Sequence, residues 1–495
     1  MTGNGRKIAI VGGGIAGLCA GVYAARCGYE VEVLEMHEIA GGLATSWKRG
    51  EYTFETCLHW LYGSKPGSAM HRMWLEVCDL DRLEIVPIRK FGQIETADGE
   101  SLAIWTDAGR LEEELLRRAP ADAAQVRRFA AAIRRLSRFQ MPEPGGNLLR
   151  NLWILAGDAL LMPLLGELKK MSCAQYAERF RDPLVKKIFL GPMDELSALA
   201  LFFSLAWMHA GEAAYAVGGA LALIRLIEQR LESLGGKLRC GAKVERILVE
   251  NDRAVGVELA GGERVTADWV ISAADGHATI FEMLGGKYVD EAVRKRYNEP
   301  VLFPSYLQVS LGVARDLHGE PPMVTRLLKS PLQLDPATKL DQVSLRIFNY
   351  DPTFAPRGKT AVTSFLPTRN DTYWRELRQN DPDSYRAEKR RVAEAVTAVL
   401  ESRLPGVREA IEAVDVSTPA SIVRYTGNWK GSMEGWLPVA GSSFRPLPGT
   451  LPGLKRFRMV GQWVAPGGGL PSGPMTAKPA IQAIAKEDGV RFLSR

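Results

Sequence analysis

An α/β fold built on a doubly wound parallel sheet is predicted by three stretches of this 495-residue sequence. Residues 7–35 read as strand, glycine-rich turn, helix, strand. Residues 215–275 read as helix, strand, small β-meander and return strand. Residues 459–471, "MVGQWVAPGGGLP", read as a strand running into a second glycine-rich turn. A glycine-rich turn after a strand is where a phosphate meets a helix N-terminus. A second such turn so near the end of the chain is unexpected, since these turns usually stand near the start of a nucleotide-binding fold.

The first stretch, "KIAIVGGGIAGLCAGVYAARCGYEVEVLE", is the most specific. Residues 7–11 form an apolar strand, and Gly12, Gly14 and Gly17 fit G-x-G-x-x-G. Gly12 makes the tight turn, Gly14 lets the backbone approach a pyrophosphate, and Gly17 lets the helix pack close to the strand. Ile15 and Ala16 open the helix beside the phosphate. Gly28 stops the helix, and the strand 31–34 ends on Glu35, 18 residues after Gly17, where a carboxylate accepts hydrogen bonds from ribose hydroxyls. An acid at that position favours an unphosphorylated adenosine ribose and disfavours NADP.

In the second stretch Gly218-Gly219 opens an amphipathic helix carrying Leu221, Ile224, Leu226, Ile227 and Leu231, and Gly235-Gly236 closes it. Strands are expected at 237–239, 244–250, 254–259, 264–266 and 269–272. Asp275 either bonds the cofactor or caps a helix from Ala278. None of the three Gly-Gly pairs in this stretch sits in a strand–GxGxxG–helix unit, so a separate nicotinamide domain is not expected.

Composition narrows the rest. The net charge is +6, with 46% hydrophobic and 24% charged residues, as in a globular protein. No Lys/Arg run is interleaved with aromatics, which argues against nucleic acid. The six cysteines include no C-x-x-C pair, so neither a metal site nor a redox dithiol is expected. The polar start "MTGNGRK" and the scattered thiols suggest a cytoplasmic protein. The apolar runs 196–210 and 148–165 are respectively too short and too interrupted to span a bilayer, which takes ~20 apolar residues.

Gly41 and Gly42 follow Glu35 by six and seven residues, and Phe54-Glu55 comes after them. In these residues the sequence resembles the FAD-dependent amine oxidase and phytoene desaturase superfamily. "FETCLHWLYG", residues 54–63, is similar to the matching segment of carotenoid isomerases and retinol saturases. The resemblance implies FAD, with Gly41, Gly42, Leu43, Leu58 and His59 in the site and Val244 covering the adenine through its backbone. Leu43 stands where that family often has Arg, and Cys57 where it usually has Gly. His59 is then a catalytic candidate beside the isoalloxazine; as a bare residue it reads equally well as a buried histidine bonded to backbone.

The resemblance also explains 459–471 as the return of the chain to the cofactor, with Gly461, Gln462, Gly469, Leu470 and Pro471 closing over the flavin. Relatives often carry a small residue and His within this stretch, where Gln462, Trp463 and Ala465 stand instead; Trp463 is the second catalytic candidate. The implied organisation is a Rossmann-like FAD-binding domain from residues 1–80, 206–280 and 451–495. An α+β substrate domain with a mixed sheet comes from 81–205 and 281–450, its helical part at about 110–205. Strands are expected there at 301–313, 342–349 and 360–366, and a helix at 383–404. The implied activity is flavin redox chemistry on a hydrophobic polyene or isoprenoid. Residues 148–165 are expected to touch the inner face of a membrane peripherally; their alternative is a core helix. A flavin amine oxidase, with Trp463 in an aromatic pair, is the competing activity, and a non-catalytic lipid escort is a third. Nothing in the sequence speaks to oligomeric state.

Overall fold

The computed structural model describes residues 5–139, 158–442 and 445–494. Five parallel strands form the first sheet, in the order Lys237–Arg239, Glu30–Leu34, Lys7–Val11, Trp269–Ser272, Phe457–Met459. The apolar residues of its central strands, Ile8, Ile10, Val31 and Val33, are all but sealed from solvent. Each such side chain contributes ~1.5–3 kcal/mol on burial. The helix Ile15–Arg26 packs against Gly219–Ser233 and Ser472–Asp488. The expected β-meander is present as Val244–Glu250, Arg253–Leu259 and Arg264–Thr266.

Asp488 ties these segments together. Its carboxylate is shielded from solvent and accepts from Tyr29 Oη at 3.0 Å and Trp269 Nε1 at 3.0 Å. It also pairs with Arg6 at 3.1 Å and with Arg456. Residues from the start, the middle and the end of the chain thus share one anion.

The second sheet has seven strands in the order Ile411–Ser417, Ser305–Val313, Thr360–Thr368, Thr338–Ile347, Met323–Asp335, Lys90–Glu95, Ser101–Trp105. It is mixed: Met323–Asp335 runs parallel to Lys90–Glu95, and the other pairs are antiparallel. The two-residue period of Ser305–Val313 sorts its side chains onto two faces. Leu307, Val309, Leu311 and Val313 join the core with Val392, Val396 and Leu400 of the helix Pro382–Arg403. The alternate residues meet the hairpin Ser46–Glu55: Gln308 Nε2 donates to Glu55 O at 2.9 Å, and Gly312 leaves room for the Tyr52 ring. This face positions the site described below.

The strand expected from 301 begins at Ser305, after Pro304. Met323–Asp335 was not anticipated; it contains Pro331, which lacks the N–H a ladder needs and falls where the pairing skips from Leu327 to Leu332. The helices Ala108–Arg118, Ala123–Leu136 and Ala198–His209 pack around Phe129 and Phe202. Of the stretch proposed to meet a membrane, residues 148–157 lie outside the described residues. Leu160 and Met162 just beyond are 77% and 61% exposed. Among the described residues no helix is long and apolar enough to cross a membrane.

Candidate active site

A cleft of about 670 Å³ opens at the carboxyl ends of the parallel strands. Gly12, Gly14, Ile15 and Ala16 form its floor, and Glu35 closes the end of the second strand. Gly41, Gly42 and Leu43 stand on one side. Val244 comes from the meander, and Gly461, Gln462, Trp463, Gly469 and Leu470 come from the last glycine-rich segment. Fourteen of the residues singled out from sequence therefore surround one space. Gly17, Leu58, His59 and Pro471 lie outside its lining.

Gly17 is buried beneath the turn: a Cβ there would stand 2.0 Å from Gly12 O. Leu58 is packed in the core with the helix Ile15–Arg26. Gly12 holds φ +95° while its N–H donates to Leu34 O at 2.8 Å, a conformation strained for any side chain. Around Gly14, by contrast, the nearest atom to an added Cβ is Gly41 O at 3.9 Å, so its open side is the cleft itself.

The helices Ile15–Arg26 and Ser472–Asp488 both begin without a side-chain cap or a first-turn acid. At the first, the orphan N–H groups of Ile15 and Ala16 and the positive end of the dipole suit an anion. At the second, Ser472 N donates to Gly469 O and Gly473 N to Leu470 O, both at 3.1 Å, and Pro474 has no N–H, so only the dipole contributes. Glu35 accepts from Gly13 N at 2.7 Å and His37 N at 2.8 Å, which fix its carboxyl. Burial raises its pKa, and the His37 and Gly13 amides oppose that shift. The glycine floor, the uncapped start of the helix Ile15–Arg26 and the fixed acid fit an adenosine diphosphate moiety.

Asp275 caps the turn that follows the sheet, accepting from Ala278 N at 2.8 Å and Trp429 N at 2.7 Å. Burial pushes its carboxyl up to about 7 despite these donors. Trp463 is held at both ends. Its Nε1 donates to Asn428 Oδ1 at 3.2 Å, and its backbone carbonyl accepts from Trp436 Nε1 at 3.0 Å. The two indoles meet edge-on, 5.5 Å apart. Gln462 Nε2 donates to the same Asn428 oxygen at 3.1 Å.

Glu434, which sequence reasoning missed, stands at the inner end with Cys57 and Glu55, both of which the resemblance singles out. Glu434 lines the cleft, and its Oε1 lies 3.8 Å from where a Cβ on Gly469 would be. Burial alone pushes its carboxyl up to about 7, and no hydrogen bond to it occurs among the described residues. Cys57 lines the same wall, its thiol pushed up by burial and then by Glu55 and Glu434. Glu55 lies behind: one oxygen accepts from Ala220 N at 2.8 Å, and the other has no partner. Burial raises Glu55 to about 7 against the opposing charge of Arg346. That guanidinium bonds Tyr350 Oη at 2.8 Å and lies over the Phe348 ring at 4.7 Å.

His59 belongs to an aromatic cluster beside this group. Its ring meets Trp60 at 6.0 Å and Phe365 at 6.2 Å, both edge-on, and Phe365 lies 4.1 Å from Tyr306. Burial first, then Arg346, lowers its pKa to about 3, so the imidazole is neutral at ordinary pH. No cluster that could hold a metal ion occurs among the described residues.

With this geometry in hand, the comparisons with known proteins are informative. Residues 15–468 match the family described as flavin containing amine oxidoreductase. A neurosporene-forming phytoene desaturase of Cereibacter sphaeroides is 26% identical over 492 residues, spanning 93% of this chain and 91% of that protein. A chloroplastic prolycopene isomerase of Daucus carota is 25% identical over 453 residues, spanning 86% and 71%. Among solved structures, an oxidoreductase from Methanosarcina mazei superposes with a TM-score of 0.60 at 17% identity, covering 96% of this chain and 100% of that one. Cyclohexylamine oxidase from Brevibacterium oxydans superposes at 0.59 and 15% identity, covering 98% and 99%. At such identities these two structures establish the shared fold.

Proposed function

Because the chain belongs to the flavin-containing amine oxidoreductase family and is an FAD-dependent oxidoreductase, we propose that it acts on a hydrophobic polyene or isoprenoid, by desaturation, saturation or cis–trans isomerisation. One observation carries this reading. Relatives named for carotenoid desaturation and isomerisation align over nearly the whole chain at about a quarter identity, whereas the amine oxidases share the fold at 15%.

Bound FAD supplies hydride acceptance and donation. The residues of this chain do the rest. Gly12 and Gly14 give the pyrophosphate its close approach, with the N–H groups of Ile15 and Ala16 facing its charge. Glu35 holds the adenosine ribose, and Val244 covers the adenine. Gly41, Gly42 and Leu43 would border the cofactor on one side, and Gly461, Gln462, Gly469 and Leu470 would close it on the other. Trp463, clamped by Asn428 and Trp436, is a rigid wall that excludes water. His59, neutral and ringed by Trp60 and Phe365, orients an apolar substrate by contact and carries no charge toward it. Glu434 lines the cleft half-buried, its carboxyl raised by burial, and no hydrogen bond to that carboxyl occurs among the described residues. Its acid form can hold a proton against a developing carbanion, and its carboxylate can face a developing carbocation.

The test is anaerobic mixing of purified holoenzyme with carotenoids, shorter isoprenoids and a panel of amines while the flavin absorbance is followed. Spectral change or product isomerisation with the polyenes supports the reading. Flavin bleaching by an amine alone, with the polyenes inert, would replace it with amine oxidation. We further place the protein in the cytoplasm, peripherally against the membrane through 148–165, where Leu160 and Met162 expose apolar surface.

A further inference from the structure

A second pocket of about 430 Å³ adjoins the cofactor cleft and shares Gly42, Leu43 and Thr426 with it. It lies between the hairpin strand Ser46–Arg49, the helix Pro419–Thr426 and the helices Asp371–Asn380 and Pro382–Arg403. Four full cations line it: Arg49, Arg378, Lys389 and Arg424. One carboxylate, Asp415, is present, and it is already engaged by Arg49 Nε at 2.8 Å and Trp47 Nε1 at 3.0 Å.

The other three cations have no carboxylate partner among the described residues. Arg378 donates to Ala420 O at 3.3 Å. The Lys389 ammonium lies 5.5 Å from the Tyr385 ring centre, and the Arg424 guanidinium 5.2 Å from that of Tyr425. Three uncompensated charges converging on one concavity repel one another, and an anion bound there relieves that repulsion. The remaining wall is mixed: Ile39, Trp47, Val416 and Ile422 give it an apolar stretch, and Thr45, Ser417 and Ser421 among others add hydroxyls. Aromatic and aliphatic walls with a few directed charges are the makeup of a small-molecule site.

We propose that this pocket binds an amphipathic organic anion, a phosphate or carboxylate head on an apolar body, as a ligand distinct from the cofactor. The head sits among Arg378, Lys389 and Arg424, and the apolar body lies along Trp47 and Ile422. Tyr306 lines this pocket and stacks with Phe365 of the aromatic cluster, so an occupant here touches the wall that His59 shares. The proposal concerns equilibrium binding and stands apart from the polyene reading, whose failure leaves it untouched.

The test is calorimetric titration of the FAD-loaded protein with farnesyl phosphate, farnesol and inorganic phosphate. One saturable site for farnesyl phosphate, at least about tenfold tighter than for either fragment alone, is expected. The double substitution Arg378→Ala/Lys389→Ala should weaken it by about tenfold or more while FAD content, flavin spectrum and thermal midpoint stay unchanged, and Arg378→Lys should retain most of it. Rising salt should weaken binding. Equal affinity in the wild type and the double variant overturns the proposal. So does loss of FAD from the double variant, which would assign these cations to the cofactor phosphates. Binding confined to phosphatidylcholine vesicles carrying phosphatidic acid, with free farnesyl phosphate ignored, also overturns it.

Discussion

Substituting Gly17 by alanine tests the cofactor floor with a single methyl group. The added Cβ would lie 2.0 Å from Gly12 O, and on its other side 3.2 Å from the Ala273 Cβ. Carbon and oxygen need roughly 3 Å or more, so the helix Ile15–Arg26 has to retreat by about 1 Å or the Gly12 turn has to open. Neither is easy: Gly12 is bonded to Leu34 O, and Leu18, Val22 and Tyr23 of the helix are sealed in the core. Overpacking of this kind costs about 1–3 kcal/mol. The turn and the helix start that move are the ones offered to the pyrophosphate, so much of that cost should reappear in FAD binding. At 1.4 kcal/mol per decade, the expected loss is roughly 10- to 100-fold in affinity. Fluorescence titration of the apoprotein with FAD measures it, and the thermal midpoint of the apoprotein reports the packing cost separately. An FAD affinity within about twofold of wild type would refute the close-packing argument.

Three further outcomes follow from the same geometry. Glu55 has a folded pKa raised from 4.5 to about 7 by burial, so the native state holds its proton more tightly than the unfolded chain does. Its carboxyl therefore costs nothing below about pH 4.5 and lowers stability progressively up to about pH 7, by roughly 3 kcal/mol. Glu55→Gln should thus gain relative to wild type in urea unfolding as pH rises across that window; a wild-type–variant difference independent of pH would contradict it. Glu434, raised to about 7 beside the flavin-closing glycines, should impose a pH dependence near neutrality on the bound flavin's absorbance and on turnover. Glu434→Gln should flatten both, and a surviving transition would assign the proton elsewhere. Leu160→Asp/Met162→Asp should reduce cosedimentation with anionic vesicles while flavin content is kept; unchanged cosedimentation would remove that surface from the membrane proposal.

The parts of the site that were legible beforehand are those where a phosphate or a ribose dictates backbone. Gly12, Gly14 and Glu35 have no substitutes at their spacing, and the strand–turn–helix context around them is local in the chain. The elements of the second sheet were visible where the run is short and mostly apolar, as over 360–366, and hidden in Met323–Asp335, where charged residues and Pro331 interrupt the pattern. Glu434 was invisible for a different reason. It lies in a loop, and only folding against Gly468 and Gly469 brings its carboxyl into the cleft. The neutrality of His59 likewise depends on burial among residues distant in sequence, and then on Arg346, from a strand nearly three hundred residues away. The second pocket's cations come from a hairpin and three helices, and no linear pattern gathers them.

The carboxylate of Asp488 has a consequence for how the protein is made. Its partners Arg6, Tyr29 and Trp269 emerge from the ribosome long before it does and Arg456 shortly before, and the helix that carries it packs on Ile15–Arg26. Until that helix is released, the first glycine turn lacks its outer neighbour, and four earlier donors wait without their common acceptor. Cofactor capture then becomes a late event in biosynthesis, and the flavin content of a preparation doubles as a record of how many chains were finished intact.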